Sequence, residues 1–132
     1  MIPKFRAYDG GSLCRMYSPE EVMVGNGDIW IIDEDGVAGE WIVNNDLVLM
    51  QSTGLTDKNG KEIFEGDILS IETDKENVKV EVSWDSKHAL FVFESKKYNA
   101  KQALGELFED NPYPFKIIGN VWEDPELVEV KK

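Results

Sequence analysis

A strict alternation of side-chain character is the feature that most limits what this chain can become. Val78, Val80, Val82 and Trp84 fall on one side of the backbone, with Lys79, Glu81 and Ser83 on the other. Successive side chains of a strand point to opposite faces of a sheet, so a period of two makes a half-buried strand. A denser apolar run follows at residues 89–94 and reads as a strand covered on both faces. Asp85-Ser86-Lys87 between them reads as a hairpin turn.

The same period recurs along most of the chain. Residues 4–8, 29–32, 40–43, 47–51, 67–72 and 115–121 are further expected strands. Asp35-Gly36 and Asn59-Gly60 are expected turns, because glycine accepts the positive φ such turns need. One stretch departs from the pattern. Ala100, Ala103, Leu104, Leu107 and Phe108 recur at helical spacing, which predicts an amphipathic helix over residues 99–108 with Asn99 as its N-cap. Gly105 weakens that helix by about 1 kcal/mol relative to alanine, and Asn111-Pro112-Tyr113-Pro114 stops it.

Glu65-Gly66-Asp67-Ile68-Leu69, a polar turn and the strand at 78–84 resemble the opening of small SH3-like barrels. The expected fold is therefore mainly β, a small and partly open SH3-like barrel or a β-sandwich with one amphipathic helix. Residues 1–132 suit one domain, with an acidic N-terminal part over 1–46 and a β-rich part over 47–132. Asn44-Asn45-Asp46 is the plausible seam. The apolar share of 42% is enough for a packed core and too high for a disordered chain.

Leu49-Met50-Gln51-Ser52-Thr53-Gly54-Leu55-Thr56-Asp57-Lys58-Asn59-Gly60-Lys61-Glu62-Ile63-Phe64-Glu65-Gly66-Asp67-Ile68-Leu69 is the most distinctive run. Together with Ile2-Pro3-Lys4-Phe5-Arg6-Ala7-Tyr8-Asp9 and Ile117-Ile118-Gly119-Asn120-Val121-Trp122-Glu123-Asp124-Pro125-Glu126-Leu127, it resembles the YopX family, small proteins carried mostly by phages and prophages. The resemblance implies a YopX-like fold and an accessory protein acting in the bacterial cytoplasm. It brings no catalytic residue. The signature positions Gly54, Leu55, Asp57, Gly60, Gly66, Asp67, Gly119 and Asn120 have structural readings. The glycines at 54, 60 and 66 fit turns. Leu55, Ile63 and Phe64 fit anchors to the core, and Gly119-Asn120 fits a bulge or a close backbone approach.

Charge is the next constraint. Fourteen basic residues face 26 acidic ones, for a net −12, and from Met16 to Asp57 nine acids occur without one lysine or arginine. Such a field repels phosphate backbones, which weighs against nucleic acid as a partner for the chain as a whole. The one basic cluster is Lys96, Lys97 and Lys101 around Tyr98, where an aromatic ring among lysines offers a nucleic-acid patch. A solvated loop leading into a helix is the plainer reading. Cys14 is the sole cysteine, so no intramolecular disulfide forms, which fits a reducing cytosol. Neither a secretory leader nor an apolar run long enough to cross a membrane is evident.

Catalytic chemistry finds little footing. His88 is the only histidine, so a nucleophile–histidine pair or a zinc site lacks partners. In an EF-hand register starting at Asp57, glycine falls fourth instead of sixth and Ile68 stands where the twelfth-position glutamate belongs, so the loop reads as a turn. Asp33-Glu34-Asp35 reads as a solvated hairpin tip. No phosphate-cradling glycine loop occurs, and no cofactor is implied. The leading expectation is a non-enzymatic interaction module for a protein with a basic surface. A nucleic-acid-binding barrel is the first alternative and a carboxylate-dependent hydrolase the second. Self-association through edge strands is a further outcome.

Overall fold

The computed structural model describes residues 4–11, 13–33, 39–109 and 112–128. It divides into two compact units, Met1–Ser52 and Thr53–Lys132. The expected Asp35-Gly36 turn, Glu34 and Asn111 lie outside the described residues.

In the first unit β1 (Phe5–Asp9) pairs antiparallel with β2 (Arg15–Tyr17) on one side and with the start of β6 (Val48–Thr56) on the other. A second, three-stranded sheet is built from β3 (Val22–Gly25), β4 (Asp28–Ile32) and β5 (Trp41–Val43). Asn26 and Gly27 close the β3–β4 hairpin at φ 53° and 79°, the positive pair that a two-residue primed turn requires. Ala7, Tyr17, Val22, Ile31 and Leu47 form this unit's core.

The second unit takes the end of β6 and adds β7 (Glu62–Phe64) beside it. Its main body is an antiparallel sheet ordered β11-β10-β9-β8-β12, curled into a half-barrel. The strands are β8 (Asp67–Glu72), β9 (Asn77–Asp85), β10 (Leu90–Ser95), β11 (Ala100–Ala103) and β12 (Phe115–Asn120). Val80 and Val82 stand at the centre of the inner face with Leu69, Ile71, Phe93 and Phe115, as the period-two pattern requires. The mainly β class of the sequence reading is observed, and of its two alternatives, a partly open barrel or a sandwich, the half-barrel curl matches the first.

The helix is much shorter than its spacing predicted. Residues 100–103 form β11, and only Glu106–Glu109 (α1) are helical. Asn99 is no N-cap: it sits at φ 48° in the turn between β10 and β11. An isolated ten-residue helix is marginal, whereas the edge of β10 supplies a ladder from Ser95↔Ala100 to Val92↔Ala103, extended by the Leu104 amide donating to the Phe91 carbonyl at 2.9 Å. Of the predicted apolar stripe, Leu104 and Leu107 reach the core, while Phe108 stays exposed and meets Phe115 edge-on at 5.1 Å.

Candidate functional site

The signature residues assemble around backbone amides of the second unit. Asp57 Oδ1 accepts from the Asn59 and Lys61 amides at 3.0 and 2.9 Å, which makes the Asn59-Gly60 turn. Its Oδ2 accepts from the Ile117 amide at 2.9 Å, sixty residues away on β12. The Lys58 amide adds a bond to the Phe115 carbonyl at 3.1 Å. Burial pushes the Asp57 carboxyl up, but the bonds from Ile117, Lys61 and Asn59, with the charge of Lys61, outweigh it and hold it below the usual carboxylate range.

Asp67 works similarly one turn later. Its Oδ2 accepts from the Phe64 amide at 2.8 Å, while Gly66, at φ 84°, donates to the Val82 carbonyl and accepts from the Val121 amide. Asn120 Oδ1 takes the Trp122 and Glu123 amides at 3.0 and 2.9 Å. At Gly119 the β8–β12 register shifts, and a Cβ there would stand 2.5 Å from Asp124 Oδ2. Gly54 differs from its expected place: it lies inside β6, at φ 79°, rather than in a turn. Ile63 and Phe64 are buried and Leu55 packs on the same core.

Within the basic cluster, Lys97 and Lys101 are held by different carboxylates. Lys97 pairs with Glu76 at 2.7 Å, and its ammonium stands 5.3 Å from the Tyr98 ring centroid. Lys101 lies 3.7 Å from Asp85, which also holds His88 Nδ1 at 2.8 Å. Glu76 and Asp85 flank opposite ends of β9, so these two ammonium groups are drawn apart. The hydrogen bond from His88 holds the Asp85 carboxyl below its ordinary value, against some burial and helped by Lys101. Lys96 acts on Glu81, whose carboxyl is raised by burial and by Glu94, its cross-strand partner, with Lys96 opposing.

Among the described residues, depressions line the inner face of the curl in the second unit. One, of about 270 Å³, is floored by Ile71, Val78, Val80 and Phe93 and walled by Tyr98 and Gln102. Another, of about 420 Å³, is bounded by Phe93, Gln102, Glu106, Glu109, Pro112 and Tyr113. Phe93 and Gln102 border both, so the two adjoin along β11 as a groove with an apolar end and a carboxylate end. Strand β11 runs beside it as an edge of the sheet. Because the Leu104 amide points at β10, alternation aims the Lys101 and Ala103 amides at the open edge.

Sequence reasoning missed this groove, since Gln102, Glu106 and Glu109 look like the polar side of a helix. The signal that could have found it was Gly105, which ends one element and starts another. The hairpin turn Asn26-Gly27 was missed as well, and with it β3. Asp33 is described and its amide bonds the Glu40 carbonyl, while Glu34 and Asp35 lie outside the described residues. Among the described residues no group of three His, Cys, Asp or Glu side chains is placed to hold a metal ion, and no helix is long and apolar enough to cross a membrane.

Comparison with known proteins agrees with this geometry. The family model described as YopX protein matches residues 4–129. No curated protein matches the sequence. Among solved structures, protein EF1440 from Enterococcus faecalis is similar at 28% identity and a TM-score of 0.65, covering 98% of this chain and 99% of that one. Protein yopX from Bacillus subtilis shares the fold at 19% identity and a TM-score of 0.63, covering 96% and 98%. With the signature, the half-barrel and the family match over nearly its whole length, the chain belongs to the YopX family.

Proposed function

We propose that this protein is a non-enzymatic interaction module, a phage or prophage accessory protein of the bacterial cytoplasm, which takes an extended segment of a partner protein along the half-barrel groove. One observation carries the reading: β11, which among the described residues is an edge strand of its sheet, lies directly beside a groove with an apolar end and a carboxylate end. A strand added to β11 would gain main-chain hydrogen bonds from the Lys101 and Ala103 amides, as strand-addition complexes do. Its inward side chains, spaced about 7 Å apart at i and i+2, would reach the two ends of the groove. An apolar side chain suits the floor of Ile71, Val80 and Phe93. A lysine or arginine suits Glu106 and Glu109. The acid excess of the chain supports a basic partner, because complementary potentials raise association rates.

The pairing of Lys97 with Glu76 and of Lys101 with Asp85 weighs against the nucleic-acid alternative, since phosphate would have to displace carboxylates. Selection of a random-peptide display library on the immobilised protein tests the proposal. Enriched peptides should carry an apolar residue two positions from a lysine or arginine. Their binding should fall about tenfold or more in the Glu106→Lys/Glu109→Lys variant, the loss of one charge-assisted contact. Enriched peptides without that pattern, or binding indifferent to the two substitutions, would refute it.

A further inference from the structure

The three-stranded sheet of the first unit has one face on its own core and one face turned out. Registers Val22↔Ile31↔Ile42 and Val24↔Ile29 place those residues on one side, from which Val22 and Ile31 enter the core while Val24 and Ile42 stay 43% and 44% exposed. Registers Met23↔Trp30↔Val43 and Ile32↔Trp41 place five apolar side chains on the other. Along the three strands only Asp28, opposite Gly25, brings a polar side chain to that outward side. Met23 and Val43 are 45% and 44% exposed, and Trp30, Ile32 and Trp41 are half-buried. The Trp30 indole N–H is already used, donating to the Gly25 carbonyl at 3.3 Å. Antiparallel sheets that expose a face to water ordinarily alternate apolar and polar residues. Here the outward face is as apolar as the inward one.

We propose that this outward face is a docking surface for a partner protein presenting an apolar patch ringed by lysine and arginine. The site is in the other unit from the groove, and the proposal stands whether or not the groove binds a peptide. Charge selects the occupant. Every charged residue from Glu20 to Asp46 is an acid, so the sheet and its connections carry no cation. Asp28 stands on the face at the start of β4, and Asp33 and Glu40 flank β4 and β5. A partner with basic residues around an apolar centre gains attraction at the rim and burial in the middle, the usual layout of an interface. Tryptophan is among the residues most often responsible for such binding energy.

A second copy fits poorly. Two such faces would bring acids against acids, in chains that each carry −12. A patch of five side chains offers on the order of a few hundred Å², whereas a stable interface takes roughly 800 Å² from each partner. Burial of that size does not offset the repulsion, while a basic rim adds to it instead of opposing it.

The test uses the full chain and a synthetic helical peptide with leucine on one face and lysine on the other, followed by calorimetry and tryptophan fluorescence. A scrambled peptide of equal composition and a leucine–glutamate analogue are the controls. The leucine–lysine peptide should bind, with affinity falling as salt rises, and the Met23→Glu/Val43→Glu variant should lose tenfold or more. Those substitutions make the protein more acidic, so a purely electrostatic association would strengthen while docking on the face weakens. Both positions are exposed, and Met23→Thr/Val43→Thr repeats the loss without added charge should the first variant misfold. Asp28→Lys/Glu40→Lys should flatten the salt dependence. No binding to the unchanged protein, equal binding of either control peptide, or unchanged or tighter binding to Met23→Glu/Val43→Glu would overturn the proposal. A dimer of the unchanged protein that Met23→Glu/Val43→Glu dissociates would overturn it in favour of a second copy.

Discussion

Replacing Asp57 by asparagine changes one oxygen into an amide nitrogen at the residue that ties the β6–β7 loop to β12. In the folded protein one carboxylate oxygen serves Asn59 and Lys61 and the other serves Ile117. An asparagine keeps a single acceptor. If it stays with the turn, its NH₂ faces the Ile117 amide, donor against donor. A hydrogen bond to a charged group contributes about 1.5–3 kcal/mol net, and leaving a buried amide without a partner costs about 1–3 kcal/mol. These overlap as descriptions of one lost contact, so Asp57→Asn should destabilise the second unit by about 2–3 kcal/mol near neutral pH. For a chain of this size that lowers the melting temperature by roughly 10 °C.

The same substitution makes a pH prediction. The folded protein holds the Asp57 carboxyl below its unfolded value of 3.8. A depressed carboxylate contributes stability that is fully present above the unfolded pKa and is lost as pH falls through the folded one. The gap between the parent and Asp57→Asn should therefore be constant at neutral pH and close in acid, below 3.8, where the protonated carboxyl is itself a one-acceptor group. Urea unfolding at several pH values, followed by tryptophan fluorescence, measures both. A cost under about 0.5 kcal/mol, the size of an ordinary surface change, would show that Asp57 is not a clamp. So would a gap that does not narrow in acid.

Three further substitutions probe other links. Gly119→Ala would set a Cβ 2.5 Å from Asp124 Oδ2, displacing that carboxylate from the Asn120 amide, and should cost about 1–2 kcal/mol in thermal melts, with relief in an Asp124→Ala background. Glu81→Gln removes a carboxylate facing Glu94 and raised by burial, so it should stabilise by on the order of 0.5 kcal/mol near neutral pH, and the gain should vanish in acid once Glu81 is protonated. Gly27→Ala forces a Cβ into φ 79° at the β3–β4 turn and should cost about 1–2 kcal/mol, read from hydrogen exchange of β3 and β4 amides.

Much of the second unit is written in residues 78–84, because a period of two has one structural meaning and both faces of β9 follow from it. The glycines at 60, 66 and 119 were legible as turn and bulge, since each chain direction there needs positive φ or the absence of a Cβ. Residues 99–108 were not legible. Ala100, Ala103, Leu104 and Leu107 suit a helix by spacing, and what turns residues 100–103 into a strand is the edge of β10, a neighbour the local sequence does not contain. The groove went unseen for that reason, because it exists only once β11 and α1 separate at Gly105. In the first unit, Met23, Trp30 and Val43 are far apart in sequence and become one face only through the registers of three strands.

Hydrogen exchange at β11 tests the central claim most directly. The Lys101 and Ala103 amides point to the open edge of the half-barrel, and addition of a peptide selected on the protein should protect both while shifting the resonances of Gln102, Glu106 and Glu109. Protection confined to residues outside the groove, or β11 amides that exchange as fast with the peptide as without it, would contradict the account.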